Sequence, residues 1–303
     1  MSLKAMADKV SVRHDLEHTA LTPPSATSGL LEAFRRRYLL RLMVRREIQA
    51  RYARSLFGLA WSYINPTVRF FTFYFVFGIL LARGNIQNFA IHLFAGMVLV
   101  HYFTETVNSG TKSLLTNKGV VQKMAMPREL FPFASMLVSL YHTIPQMIIL
   151  TIACLWTRTW DPDLVGMGAA LLGFTIVLLF STSLGLMFSV FNVLLRDFGR
   201  IVQTFLNVLP FTVPMMYPYS MITERFGTGW PHDLVMANPL AEAVLLIQRG
   251  FWWTTTTSEP YSKSFPPDLW QRGFIMLGVC VVLLAFAQWV FSRLEARVPE
   301  LLI

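Results

Sequence analysis

Cysteine is nearly absent from this chain of 303 residues. Cys154 and Cys280 both lie within apolar runs, with no His or Cys at ligand spacing, which excludes a disulfide framework and a zinc site. Charge is scarce as well: 14% of the residues are Asp, Glu, Lys or Arg, too few for a soluble chain of this length. Also missing are a G-x-x-x-x-G-K-S/T phosphate loop, H-E-x-x-H, G-x-S-x-G and a G-x-G-x-x-G turn, so ATP hydrolysis and hydrolase chemistry are not expected of this chain, nor any cofactor or metal of its own. Glu105 stands alone within its apolar stretch, which leaves an ion-coupled mechanism without the acidic relay it needs. Neither a fixed-period nor an inverted repeat is visible, which argues against a secondary transporter.

What is abundant is apolar surface. Hydrophobic residues make up 54% of the chain, with 25 Phe, 8 Trp and 9 Tyr, and the mean hydropathy is +0.49. The expected fold class is therefore an all-α, polytopic membrane protein whose rings fill space between helices or line something wide. Six stretches suffice to cross about 30 Å of hydrocarbon: Leu59 to Ala82, Phe89 to Val107, Phe131 to Trp156, Leu164 to Leu195, Ile201 to Ile222 and Gly273 to Ser292. An even number leaves both termini on one side. With those ends in the cytoplasm, 19 Lys and Arg fall inside and 6 outside, the direction the positive-inside rule requires. The net charge of +9 then suits anionic membrane lipids as partners better than nucleic acid.

Residues 1–28 are polar and include Pro23 and Pro24; they lack the features of a signal peptide and are expected to form a flexible leader. Residues 29–57 are expected to form an amphipathic helix: Leu30, Leu31, Phe34, Tyr38 and Leu42 recur at helical spacing, with Arg35, Arg36, Arg37, Arg41, Arg45 and Arg46 between them. Such an arginine face fits the headgroup plane. Residues 58–303 form the six-span domain, with a long external segment at 223–272 whose apolar middle, Leu234 to Trp253, carries Glu242 and Arg249. It reads as a pair of short helices dipping into the outer leaflet or as a folded external cap.

Three polar features fall at membrane depth. Ser62, Asn65, Arg69 and Thr72 form one stripe that Phe73 continues. Arg69 lies about 12 Å along this helix, where lipid exposure would cost roughly 2.5–3.5 kcal/mol, so it should face the protein. His101, Thr104, Glu105 and Asn108 form a comparable face, and Glu105 is a candidate partner for Arg69. The two faces serve either as an ion pair that fixes helix register or as a surface for an anionic or sugar substrate. In the fifth stretch Pro210 and Pro214 interrupt a helix that also carries Asn207 and Thr212, predicting a bend for a pathway or for packing.

The run Arg46-Glu47-Ile48-Gln49-Ala50-Arg51-Tyr52, continued by Ser55-Leu56-Phe57-Gly58-Leu59-Ala60-Trp61 and Asn65-Pro66, resembles the membrane subunits of ABC exporters for lipid-linked polysaccharides. Asn117-Lys118, Lys123-Met124-Ala125-Met126-Pro127-Arg128-Glu129-Leu130, Arg196-Asp197, Pro214, Tyr217-Pro218 and Asn238-Pro239-Leu240 with Arg249 follow in the same order. The resemblance runs from about Leu30 to the C-terminus. It implies a homodimer bound to two copies of a separate ATPase chain, which carries the ATP and magnesium. It further implies ATPase-coupling roles for Arg46, Arg51, Lys123, Met126, Pro127 and Arg128, with residues 113–129 as a coupling helix, and an external gate at Asn238, Pro239 and Arg249. A positive-inside loop alone also explains Lys118, Lys123 and Arg128. Arg69 departs from the apolar residue usual in this family. The aromatic content, arginine-rich N-terminus and polar leader are similar to those of actinobacterial galactan exporters.

A sugar polymer entering hydrocarbon would lose hydroxyl partners at several kcal/mol each, so the implied cargo needs a wet conduit. Its lining is expected to include Asn65, Arg69, Thr72, Phe73, Tyr102, Glu105, Phe211 and Tyr217, with Phe70 and Tyr74 as further candidate rings. The bacterial plasma membrane is the expected location and a lipid-linked glycan the expected substrate. Rival readings are an ABC permease for a drug or small lipid, and a membrane-embedded glycosyl- or acyltransferase. The second rival lacks a paired-carboxylate site, since Asp161 and Asp163 read as a helix-capping loop.

Overall fold

The computed structural model describes residues 35–53, 55–80, 86–123, 126–195, 197–227, 229–257, 260–295 and 298. The leader at 1–28, the first turn of the basic helix, and Met124 and Ala125 lie outside this set. The regular elements among the described residues are all helices, in the order α1 (Arg37–Tyr52), α2 (Trp61–Phe73, continued by a π-helical turn over Tyr74–Leu80), α3 (Phe89–Thr116), α4 (Lys118–Lys123), α5 (Leu130–Trp156) and α6 (Leu164–Leu194). Next come α7 (Phe198–Val208, with a 3₁₀ turn over Leu209–Thr212), α8 (Tyr219–Phe226), α9 (Trp230–Met236), α10 (Pro239–Gly250), α11 (Tyr261–Ser264) and α12 (Leu269–Leu294).

Four of these helices are long and apolar enough to cross a membrane, namely α3, α5, α6 and the segment Tyr261–Leu294 that ends in α12. Their outer faces carry bare aliphatic and aromatic side chains, such as Ile144, Ile148 and Ile152 of α5 and Val281, Val282 and Phe286 of α12, as lipid contact demands. Inside, α6 packs against α3, α10 and α12. Small residues let the backbones approach: a Cβ on Gly110 would sit 2.9 Å from Gly185 Cα, and one on Gly173 would sit 2.7 Å from the Ala243 carbonyl.

The structure changes three expected boundaries. α3 runs nine residues past the expected end at Val107, because Ser109, Thr111 and Ser113 return their hydroxyls to carbonyls of the same helix at 2.6–2.7 Å. A polar cluster satisfied this way need not end a helix. The fifth stretch is broken rather than bent. After Thr212 the backbone becomes extended at Val213 (φ −115°, ψ 139°) and helix resumes only at Tyr219, because Pro210 and Pro214 each lack an N–H to donate. Finally, residues 113–129 are not one coupling helix: α3 ends at Thr116, α4 covers Lys118–Lys123, and Arg128–Glu129 form a turn.

The segment 223–272 holds several short helices rather than a pair. Its longest, α10, is buried along nearly its whole length and at 12 residues reaches about 18 Å, too short to span. Asn238 starts it by accepting from the Leu240 N–H at 3.0 Å, with Pro239 in the first turn, where a missing N–H costs nothing.

Candidate functional site

The polar stripe of α2, the polar face of α3 and one side of α7 meet around a cavity of about 410 Å³. Arg69 and Phe73 reach it from α2, His101, Thr104, Glu105 and Asn108 from α3, and Gln203, Asn207, Pro210 and Phe211 from α7 and its 3₁₀ turn. Met97 and Met215 line it as well. A second cavity, of about 270 Å³, shares His101 and Glu105 and adds Arg51, Ser62, Asn65, His142 and Gln146. A third, of about 570 Å³ against α1, shares Arg51, Glu105 and Asn108 and adds Arg46, Glu47 and Lys112. Glu105 thus borders all three, which together make one polar trail from the basic helix into the bundle.

Glu105 pairs with Arg51 at 2.6 Å, and no ion pair to Arg69 is found among the described residues. His101, Thr104, Glu105 and Asn108 share one face of α3 on the cavity, and the partner of Glu105 comes from the last turn of α1. Arg51 is therefore turned toward the bundle. Beside it the Tyr52 hydroxyl lies 2.5 Å from Ser62 Oγ and 3.2 Å from His142 Nδ1, and Ser62 Oγ lies 3.0 Å from the same nitrogen. This node ties α1 to α2 and α5. His142 was not singled out from the sequence, yet the spacing of Ser135, Ser139, His142 and Gln146 is a helical polar stripe that marks it. On α1, burial pushes the Glu47 carboxyl above its usual pKa against the opposing pull of Arg51, and the Ser135 hydroxyl donates to it at 3.3 Å.

The remaining expected pathway residues divide. Asn65 lines the second cavity. Thr72 lies off the cavities, donating to the Val68 carbonyl at 2.9 Å. Tyr102 is fully buried and stacks on Phe174 of α6 at 5.5 Å between centroids; its position one residue past His101 turns it to the core face of α3. Tyr217 is half-buried and donates to the Phe211 carbonyl at 3.4 Å, supporting a lining residue rather than lining the cavity itself. Phe70 and Tyr74 stack on each other and pack on the core.

Of the expected ATPase-coupling residues, Arg46 and Lys123 are exposed. Met126 and Pro127 are buried, Met126 in an apolar cluster with Val121, Leu186 and Phe291. They anchor the segment rather than project from it, because a Met-Pro pair flanked by helices gains more from burial than from water. Arg128 donates to the Glu295 carbonyl, and Glu129 accepts from Gln288 at 2.6 Å. Burial and the neighbouring Glu129 push the Glu295 carboxyl up to about 7, opposed by Arg128. At the opposite end Arg249 makes a two-pronged pair with Asp163, at 3.1 and 2.8 Å, and lies over the Tyr261 ring. The Arg249 guanidinium holds the Asp163 carboxyl below its usual range. Asp163 therefore ties α10 to the start of α6, a pairing that spacing along the chain does not reveal.

Apolar helices around a polar, ring-flanked cavity, with a basic amphipathic helix leaning on one end, define a multi-pass membrane protein of the permease class. The model of the ABC-2 type transporter family matches residues 38–252, about seven-tenths of the chain, and the chain belongs to that family. It is accordingly a transport subunit and not an enzyme. It is 24% identical over 273 residues to an O-antigen export system permease protein RfbA of Klebsiella pneumoniae, covering 87% of this chain and 95% of that one. An RfbA of Myxococcus xanthus is 28% identical over 225 residues, 73% of this chain and 83% of that one. The polysialic acid transport protein KpsM of Escherichia coli is 20% identical over 203 residues, 66% and 76% of the two chains.

Proposed function

We propose that this chain is the membrane subunit of an ATP-driven exporter that moves a lipid-linked polysaccharide from the cytoplasm across the bacterial inner membrane. It works as a homodimer with two copies of a separate ATPase subunit, which binds ATP and magnesium, and both of its termini are cytoplasmic. The observation that carries this reading is the cavity between α2, α3 and α7, whose polar lining includes an exposed Arg69. In an isolated subunit Asn65, Arg69, Gln203 and Asn207 would be left exposed at membrane depth, at a cost of roughly 2.5–3.5 kcal/mol for the arginine alone. A second copy meeting the first across α2 and α7 covers them and turns two half-cavities into one wet conduit. The relatives' names supply the cargo class, and the excess of Lys and Arg on one side supplies the orientation.

In this reading the basic helix α1 and the exposed Lys123 meet the ATPase, and α10 with its Arg249–Asp163 tie belongs to the external gate. Rings such as Phe73 and Phe211 offer stacking faces to sugars, while the lipid anchor stays in the bilayer. The test is export in sealed vesicles containing the chain and its ATPase. A side-specific lectin should detect glycan across the membrane only with ATP, and ATP-dependent movement of a small amphiphile without glycan would replace this reading with a drug or small-lipid permease.

A further inference from the structure

The broken fifth stretch reaches the cavity through Met215. The segment around it, Val213 to Met216, is buried although it belongs to no helix. A non-helical strap at membrane depth leaves carbonyls in need of donors from elsewhere. The donor is Gln248 of α10, 1% exposed, whose amide reaches the Pro214 carbonyl at 3.0 Å and the His92 carbonyl at 3.3 Å. The His92 ring stands edge-on to Trp252 at 4.6 Å. Gly96 completes the clamp, because a Cβ there would come within 2.6 Å of Met215 Cβ and 3.1 Å of Val244 Cγ1. One short segment is thus gripped from α3 and from α10 at once.

We propose that Gln248 is a positioning residue that fastens the Val213–Met216 strap to α10, so that strap and helix form one rigid gate across the external end of the cavity. This rests on the export reading for its direction, although the grip itself does not. Opening the gate requires α10 and the strap to move off the cavity together, with the Pro214–Gln248 bond intact. Phe211, just before the strap, is then carried with it, which links the gate to the rings that line the path.

Two measurements on the complete complex test this. In right-side-out vesicles without nucleotide, a cysteine in place of Thr104, which lines the cavity, should be shielded from a membrane-impermeant thiol reagent added outside. Gln248→Leu, which takes the side-chain donor from the buried Pro214 carbonyl, should raise its labelling rate about tenfold or more. An unchanged rate in a complex that still binds its ATPase overturns the proposal, and Gln248→Met is read the same way if the leucine variant does not assemble. In the second measurement Pro214→Cys and Gln248→Cys are joined by a disulfide. Export that survives oxidation supports a gate moving as one piece, whereas export lost on oxidation and regained on reduction overturns it. If the parent complex exports no glycan at all, the export reading fails while the labelling result still decides the role of Gln248.

Discussion

Replacing Arg51 with alanine removes the guanidinium that meets Glu105 at 2.6 Å, the one ion pair found between α1 and α3 among the described residues. A hydrogen bond between charged groups contributes about 1.5–3 kcal/mol. Both side chains keep close to a third of their exposure, 31% and 28%, so solvent screening reduces this to about 1–2 kcal/mol. Glu105→Gln should cost less, about 1 kcal/mol, since the amide oxygen still accepts from Arg51. The double variant should then be less damaging than the sum of the singles, with a coupling energy of about 1 kcal/mol or more. Thermal unfolding of the purified complex measures the stability side, and ATPase stimulation by the membrane subunit measures the link from α1 into the cavity. Strictly additive losses in unfolding would refute the pair as an energetic contact. Unaltered stimulation in Arg51→Ala would refute it as the link.

Arg69→Ala and Tyr217→Ala should each lower glycan export several-fold while leaving the complex assembled, because one lines the cavity and the other holds the Phe211 backbone; export assays beside co-purification with the ATPase check both. Asp163→Asn should loosen the Arg249 tie by less than about 1 kcal/mol, since the carboxylate is partly exposed. The Asp163 pKa is lowered in the folded state, so its contribution is present above the usual carboxylate pKa of about 4 and fades as pH falls through the lower folded value. The protection factors of the α10 amides, which correct exchange for its intrinsic pH dependence, should therefore fall in acid in the parent chain and change little with pH in the variant. Glu295 runs the other way: with a folded pKa raised to about 7, its contribution is complete below the ordinary carboxylate range and is lost as pH rises through about 7. The complex should unfold at a lower temperature at pH 8 than at pH 6, and Glu295→Gln should flatten that slope.

Long apolar runs made α3, α5, α6 and α12 legible in the sequence, since length and hydropathy alone decide whether a helix reaches across a bilayer. Helical spacing likewise identified the arginine face of α1 and the faces of α2 and α3 that meet at the cavity. Pairing across helices was not legible. The spacing on α3 marks the Glu105 face but not Arg51 as its partner, because periodicity gives the direction of a side chain and says nothing of which helix lies opposite. Tyr102 shows the same limit, sitting one residue from a cavity residue yet turned to the core. Prolines 210 and 214 announced a disturbed helix, but whether it bends or breaks depends on donors offered by neighbours, and Gln248 within the apolar run of α10 gave no hint of that role.

The account depends most on the polar half-cavity being completed by a second copy across α2 and α7. Phe71 and Phe205 are 62% and 67% exposed on those helices, and Ile152 on α5 is 56% exposed, so the three positions are equally open in one subunit. Single cysteines at each, treated with a bifunctional thiol cross-linker in native membranes, measure which face meets another copy. The account predicts linked dimers from Phe71→Cys or Phe205→Cys and monomers from Ile152→Cys. Monomers at both aromatic positions, with dimers forming through Ile152→Cys, would contradict it.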